Sequence, residues 1–275
     1  MTGAGGGLGR AFLAAAGDGN EMHPFTRQEL DVRSLEAVTE VLVPIEPDVI
    51  MHFAAMTALD ACEEDPSRAF DTNVTGSRNV AEAAKRTGAL LVAISTDYVF
   101  DGEKGEPYDE RDRANPISAY GRTKHEGEQA VQAVGPEALI VRTAWIYGAG
   151  NEFASKAVRR LAAGEEVGAI ADQVGSPTHV VHLAERLLPL VSSGVLGVVH
   201  LAGPEAASWH DVLVRAKELG DLPGDVIAKK ADELDRPAKR PPYSALTSVR
   251  LDESKVPPMP SLDDGIRRVL ADVGG

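Results

Sequence analysis

Cysteine, basic charge and long apolar runs are all scarce in this chain, and each shortage excludes something. Cys62 is the only cysteine among 275 residues, so no intrachain disulfide can form, and the usage fits a reducing cytoplasm. Lys and Arg number 28 against 42 Asp and Glu, giving a net charge of −14. Such a field repels nucleic acid and anionic membrane surfaces, and neither is an expected partner. No apolar run reaches the roughly 18 residues of a membrane span, and the first residues are glycines rather than a basic stretch followed by an apolar one. The expected location is therefore cytoplasmic. A GxSxG element is missing, which leaves a serine-hydrolase reading without support. His179 and His182 stand three apart with no third ligand at a recognisable spacing, so they are expected to cap or pack, and no metal is expected.

What the chain does contain is an alternation of short β-like runs with longer helical patterns. Residues 48–55, 89–96 and 137–145 are apolar without polar alternation, the mark of strands covered on both faces. Between the first two, residues 66–88 place Ala69, Val80, Ala83 and Ala84 at helical spacing, with Gly88 as a stop. Strand, helix, strand in this order predicts an α/β fold, a Rossmann-type doubly wound parallel sheet with crossover helices. After about residue 150 repeated prolines loosen the pattern. The expected organisation is a dinucleotide-binding domain over 1–150, to which later segments return, and a mainly substrate-binding lobe over 151–275.

The opening MTGAGGGLG spaces Gly3, Gly6 and Gly9 as GxxGxxG. Glycines at such positions permit positive φ, let backbone approach a pyrophosphate, and allow the following helix to pack tightly. Its N-terminus then aims N–H groups at the phosphates. A flexible tail would have the same composition, but helical character over 10–17 and a strand-like run at 21–26 favour the phosphate loop. At the tip of that run stand Thr26 and Arg27, with acids only at Glu29 and Asp31. Arg27 can pair with a 2′-phosphate, which favours NADPH with NADH also admissible, or it is a solvated arginine. Only Met1 and Thr2 precede the loop, where the central strand of such a sheet belongs. The first strand therefore reads as truncated, and the natural protein is expected to begin several residues earlier.

Tyr120 and Lys124 in YGRTK lie four apart on one helical face. Lowering a phenol by about 3 pKa units takes roughly 4 kcal/mol. An ammonium ~5 Å away at an effective dielectric of ~20 supplies about 3 of it, so one lysine nearly suffices. The run STDYVFDG ends the strand at 89–96, at the carboxyl edge where parallel sheets bind ligands. Thr96 offers a hydroxyl to a substrate carbonyl, Asp97 an acceptor to a sugar hydroxyl, and Tyr98 a neighbouring ring.

These elements, together with PDVIMHFAAMTALDACEEDP, NVTGSRNVAEAAKRTGALLVAISTDYVFDG, NPISAYGRTKHEGE, LIVRTAWIYGAGNEF, DQVGSPT and RPPYSALTSVRL, resemble the dTDP-4-dehydrorhamnose reductase family. That family lies within the extended short-chain dehydrogenase/reductases, and the resemblance runs over nearly the whole chain. It implies NAD(P)H-dependent reduction of the 4-keto group of a dTDP-4-dehydro-6-deoxy sugar, with a nucleotide-sugar substrate and a monomer or homodimer. Tyr120 takes the place of the proton donor, Lys124 that of the lysine on the nicotinamide ribose, and Thr96 that of the STD threonine. Substrate contacts are implied for Thr96, Asp97 and Trp145. Cofactor contacts are implied for Gly6, Gly7 and Leu8, for Asp31 and Val32 near the adenine, and for Ala55, Met56 and Thr57. Asn73 either resupplies the proton or holds a helix and strand together. A related epimerase or dehydratase, or a cofactor-binding regulatory subunit resembling the methionine adenosyltransferase β subunit, are the competing readings.

Glu63, Glu64 and Asp65 read as the solvated start of a helix favoured by its dipole. Ser208 resembles an N-cap before Trp209, a packing residue. Arg236 and Arg240 either reach a nucleotide diphosphate or form surface salt bridges.

Overall fold

A computed structural model describes residues 1–274. Helix α1 spans Gly7–Ala16 and α2 spans Leu35–Leu42; strand β1 is Val49–His52. Then come α3 (Leu59–Glu64), α4 (Pro66–Phe70), a π-turn over Asp71–Thr75, α5 (Gly76–Thr87) and β2 (Leu90–Thr96). The middle of the chain gives α6 (Ala119–Val134), β3 (Ala138–Thr143), β4 (Ile146–Tyr147) and α7 (Phe153–Ala162). After it follow β5 (Val167–Ile170), β6 (Thr178–His179), α8 (Val180–Val191), β7 (Gly197–His200), α9 (Trp209–Gly220), β8 (Val226–Lys229), α10 (Leu251–Ser254) and α11 (Leu262–Gly274).

The main sheet runs β1-β2-β3-β7, every pair parallel. Alternate residues of its strands enter two cores, which is why these strands are apolar without a polar phase. Leu91 and Ile140 pack with Val38, Val80 and Ala84 of α2 and α5. Val92, Leu139 and Val141 pack with Phe12 of α1 and Leu183 and Leu187 of α8. Helices on both faces of a parallel sheet make this a Rossmann-type fold.

Three expectations shift. The helical stretch at 66–88 is α4, the π-turn and α5 in succession. The phosphate-loop helix begins at Gly7, earlier than residue 10. The strand sought at 21–26 is a single parallel bridge, Thr2 with Phe25, while Thr2 also bridges His52 on its other side. Thr2 N donates to Met51 O at 2.9 Å, Phe25 N to Met1 O at 2.9 Å and Ala4 N to Phe25 O at 3.0 Å. Met1 N also donates to His23 O at 2.8 Å, so the run pairs with the N-terminal segment from His23 to Phe25.

Residues 178–200 return to the main sheet through α8 and β7. Leu201, Leu251, Val256 and Met259 also pack on that sheet's core with α1 and α8, while Leu161 of α7, Leu213 of α9 and Ile266 of α11 meet Val167 of β5 in a core of their own. Strands β5 and β8 form a separate parallel pair.

Candidate active site

Helix α6 carries Tyr120 and Lys124, and its start is fixed from two directions. Ser118 caps it, its hydroxyl accepting from Gly121 N at 3.1 Å. Glu63, at the end of α3, accepts from Ala119 N at 2.7 Å. The acidic run at 63–65 is thus structural: Glu63 holds the Tyr120 helix and Asp65 caps α4, accepting from Arg68 N at 3.0 Å. Gly121 is required by close approach, since a Cβ there would stand 2.1 Å from the Tyr98 carbonyl. The turn at 97–99 therefore lies directly on α6, which brings the end of β2 to the tyrosine.

All four groups at this edge are buried: Thr96 is 5%, Asp97 1%, Tyr120 9% and Lys124 7% exposed. The Thr96 hydroxyl lies toward the Tyr120 phenol, and the Tyr98 and Tyr120 rings meet edge to face at 5.8 Å. Lys124 Nζ donates to Ile94 O at 2.7 Å. Burial lowers the lysine to about 8, with Glu128 one turn on pulling the other way. The expected depression of the phenol is not found. Burial pushes Tyr120 above the ordinary phenol range, Asp97 and Cys62 add to this, and the Thr96 hydroxyl opposes it. A Coulomb estimate that leaves the phenol in water omits the larger effect, its own desolvation.

Asp97 Oδ1 lies 3.0 Å from Thr96 Oγ1 and Oδ2 is hydrogen-bonded to the Ser244 hydroxyl, and burial raises the acid to about 7. Trp145 has φ +44°, stacks on Trp209 with centroids 5.0 Å apart, and turns its indole N–H toward Asp97 without hydrogen-bonding a described residue.

A cleft of about 370 Å³ opens beside this edge, between the glycine loop, residues 26–33 and the segment after β1. Gly3, Gly5, Gly6, Arg27, Asp31, Val32, Ala55 and Met56 line it, as do Arg33 and Arg68. Gly7, Leu8 and Gly9 form the first turn of α1. Thr57 is exposed one residue past Met56. Gly3 has φ +70°, and a Cβ there would stand 2.6 Å from Ala54 N, so only glycine fits this turn. The N-terminus of α1 has no side-chain cap and no acid in its first turn, leaving its N–H groups for an anion. Asp31 is paired with a cation: Arg33 grips both its oxygens, at 2.9 and 2.6 Å, and holds it at about 2. Bare loop backbone, an uncapped helix end and the Arg27, Arg33 and Arg68 guanidiniums suit a phosphorylated dinucleotide.

The family model described as the RmlD substrate binding domain matches residues 1–274. The chain is 42% identical to a dTDP-4-dehydrorhamnose reductase of Mycobacterium tuberculosis, over 90% of this chain and 84% of that one. The crystal structure of a dTDP-4-dehydrorhamnose reductase from Clostridium acetobutylicum superposes with TM-score 0.95 at 38% identity, covering 100% of this chain and 98% of the other. The Bacillus anthracis enzyme of the same name, solved in complex with NADP, gives TM-score 0.93 at 34% identity over 98% and 97%. The chain belongs to the dTDP-4-dehydrorhamnose reductase family.

Within this reductase-family scaffold, Asn73 joins the cleft to the tyrosine helix. Its side chain accepts from Met56 N at 2.8 Å and donates to Met56 O and to Thr123 Oγ1 of α6, both at 3.1 Å. Of its two readings, holding is the one these bonds support. Glu128 and Arg142 form a buried two-bond ion pair at 2.9 and 2.7 Å that the sequence reading overlooked. Arg240 grips both oxygens of Asp60 and is 14% exposed, whereas Arg236 is exposed. The His179 and His182 rings pack 4.9 Å apart, and burial lowers His179 to about 4. Ser208 caps α9 with Asp211, as its sequence suggested.

Proposed function

We propose that the chain is an NADPH-dependent reductase acting on the 4-keto group of a dTDP-4-dehydro-6-deoxy sugar, forming dTDP-rhamnose from dTDP-4-dehydrorhamnose. One observation carries the reading: Thr96, Tyr120 and Lys124 gather at the carboxyl end of β2, beside a cleft whose Met56 packs in the same cluster as Tyr120. The names of the relatives support the same reaction. In this reading the half of the chain up to residue 150 supplies the dinucleotide site and the second half mainly the sugar-nucleotide site.

Gly5, Gly6 and the first turn of α1 would hold the pyrophosphate, and Arg27 and Arg33 a 2′-phosphate. Asp31 and Val32 would border the adenine, and Ala55, Met56 and Thr57 the far wall. When bound, NADPH supplies a hydride to the carbonyl carbon. Tyr120 gives its phenolic proton to the developing alkoxide and Thr96 hydrogen-bonds the same oxygen. A phenol raised by burial suits this direction, because it holds its proton until an alkoxide, a far stronger base, appears. Lys124, buried beside Glu128, places a positive charge under the site. Trp145 would face the sugar.

The test is nicotinamide absorbance with purified protein, NADPH and dTDP-4-dehydrorhamnose, with the product identified by NMR. Oxidation of one NADPH per sugar reduced at C4 is expected. No oxidation with this or other dTDP-4-dehydro-6-deoxy sugars would end the reading.

A further inference from the structure

Asp97 is the one carboxyl of the catalytic edge, and its partners are unusual. Thr96 Oγ1 lies 3.0 Å from Oδ1 and the Ser244 hydroxyl bonds Oδ2. Its own backbone N–H and the Trp145 indole N–H also face it. The nearby cation, Arg240, is already bound to Asp60. A carboxylate 1% exposed and surrounded by hydroxyls and rings has no counter-charge to offset its lost hydration.

Counting protons makes this consequential. A threonine hydroxyl has one proton and two lone pairs. Thr96 gives one lone pair to Tyr98 N, at 3.2 Å. An ionised Asp97 can only accept, which commits the single Thr96 proton to Oδ1 and leaves nothing to donate to a substrate oxygen. A neutral Asp97 donates from Oδ1 into the second lone pair, and the Thr96 proton is free to turn outward. Ser244 selects which oxygen carries the acid proton. Its hydroxyl is buried with Asp97 Oδ2 as its hydrogen-bond partner, so a Ser244 proton directed to Oδ2 leaves Oδ1 to carry the acid proton.

We propose that Asp97 works as a neutral carboxylic acid whose proton, donated to Thr96, turns the Thr96 hydroxyl into a donor toward the sugar's carbonyl oxygen. The inference rests on the reductase reading above and makes Asp97 a positioning residue that acts through Thr96. It differs from the direct sugar contact implied by the family resemblance. Burial raises Asp97 to about 7, consistent with the geometry. The ionisable groups facing it are the phenols of Tyr98, in the same turn, and Tyr120, on α6, both raised by burial and uncharged where Asp97 titrates. Arg236 and Arg240 lie beyond Tyr98, and Ser244 and Trp145 carry no charge.

Two measurements test this. Infrared difference spectra of cofactor-free wild type against Asp97→Asn should show the carbonyl stretch of a neutral acid at about pH 6 that fades by about pH 8.5. A carboxylate signal throughout overturns the proposal, whatever the protein's activity. In the second, kcat/KM of wild type should fall through an alkaline limb near pH 7, tenfold for each unit beyond it. Asp97→Asn keeps a donor on Thr96 at every pH, so its profile should lose that limb with KM changed less than about threefold. Ser244→Ala removes a donor that favours the charged acid, so its limb should move up. An unchanged limb in Asp97→Asn, or a tenfold rise in KM at constant kcat, overturns the proposal. If wild type reduces no sugar nucleotide, the functional reading fails while the spectra still decide the protonation of Asp97.

Discussion

Asp31 and Asp97 are the same side chain at two places along one sheet edge, and their surroundings move their protons in opposite directions. Asp31 is 42% exposed at the side chain and gripped by Arg33, which holds it at about 2. Asp97 is 1% exposed among hydroxyls, and burial takes it to about 7. In the cleft, water screens charge, so each guanidinium adds a modest amount and can be lost singly. At the catalytic edge little water screens, so each buried polar contact weighs more. Substitutions in the two regions should therefore differ in size and in their response to salt.

The largest effect expected is at the edge. Tyr120→Phe should lower kcat by ~10³-fold or more while the NADPH Kd, from fluorescence titration, stays within about twofold; retained turnover would remove the phenol from the mechanism. Next is the buried pair behind it. Arg142→Met removes both guanidinium bonds from buried Glu128, leaving it only His125 at 3.2 Å and the Lys124 charge nearby, and should cost about 3–5 kcal/mol in urea denaturation, most of it recovered when Glu128→Gln is added. An equal loss in the double variant would mean that packing, not charge, is responsible.

Asp97→Asn separates the regions by pH. An acid whose pKa rises on folding contributes stability that is full below its unfolded value of 3.8 and is lost as pH climbs through about 7. The Tm of Asp97→Asn relative to wild type should therefore improve between about pH 5 and pH 8; a pH-independent difference would refute the shift. The smallest effects belong to the cleft. Arg27→Ala and Arg33→Ala should each weaken NADPH by about five- to tenfold with little change for NADH, and the difference should shrink in high salt. Equal losses for both cofactors would show that neither guanidinium reads the 2′-phosphate.

The same division governs what the sequence discloses. The strands at 48–55, 89–96 and 137–145 are legible because a doubly covered strand must be apolar throughout, and Tyr120 with Lys124 because a helix fixes what lies four residues apart. Glu63 on Ala119 N, Ser244 on Asp97 and Arg240 on Asp60 join residues 56, 147 and 180 positions apart. Nothing local marks such pairs, since the crossing of elements creates them. Arg33, two residues from its partner, is a different matter, because an arginine that close to Asp31 is visible in the DVR triplet. The raised phenol was missed for a physical reason, in that spacing reports distance to a cation but not removal from water.

The cationic lining of the cleft sits within a chain of net charge −14, and this makes the approach of an anionic ligand a two-stage affair. At distances beyond a Debye length, ~8 Å at physiological ionic strength, the incoming molecule meets a repelling body and feels the guanidiniums only on arrival. Added electrolyte should hasten capture by hiding the body and hasten escape by loosening the grip, so that turnover of the site quickens even as its occupancy declines.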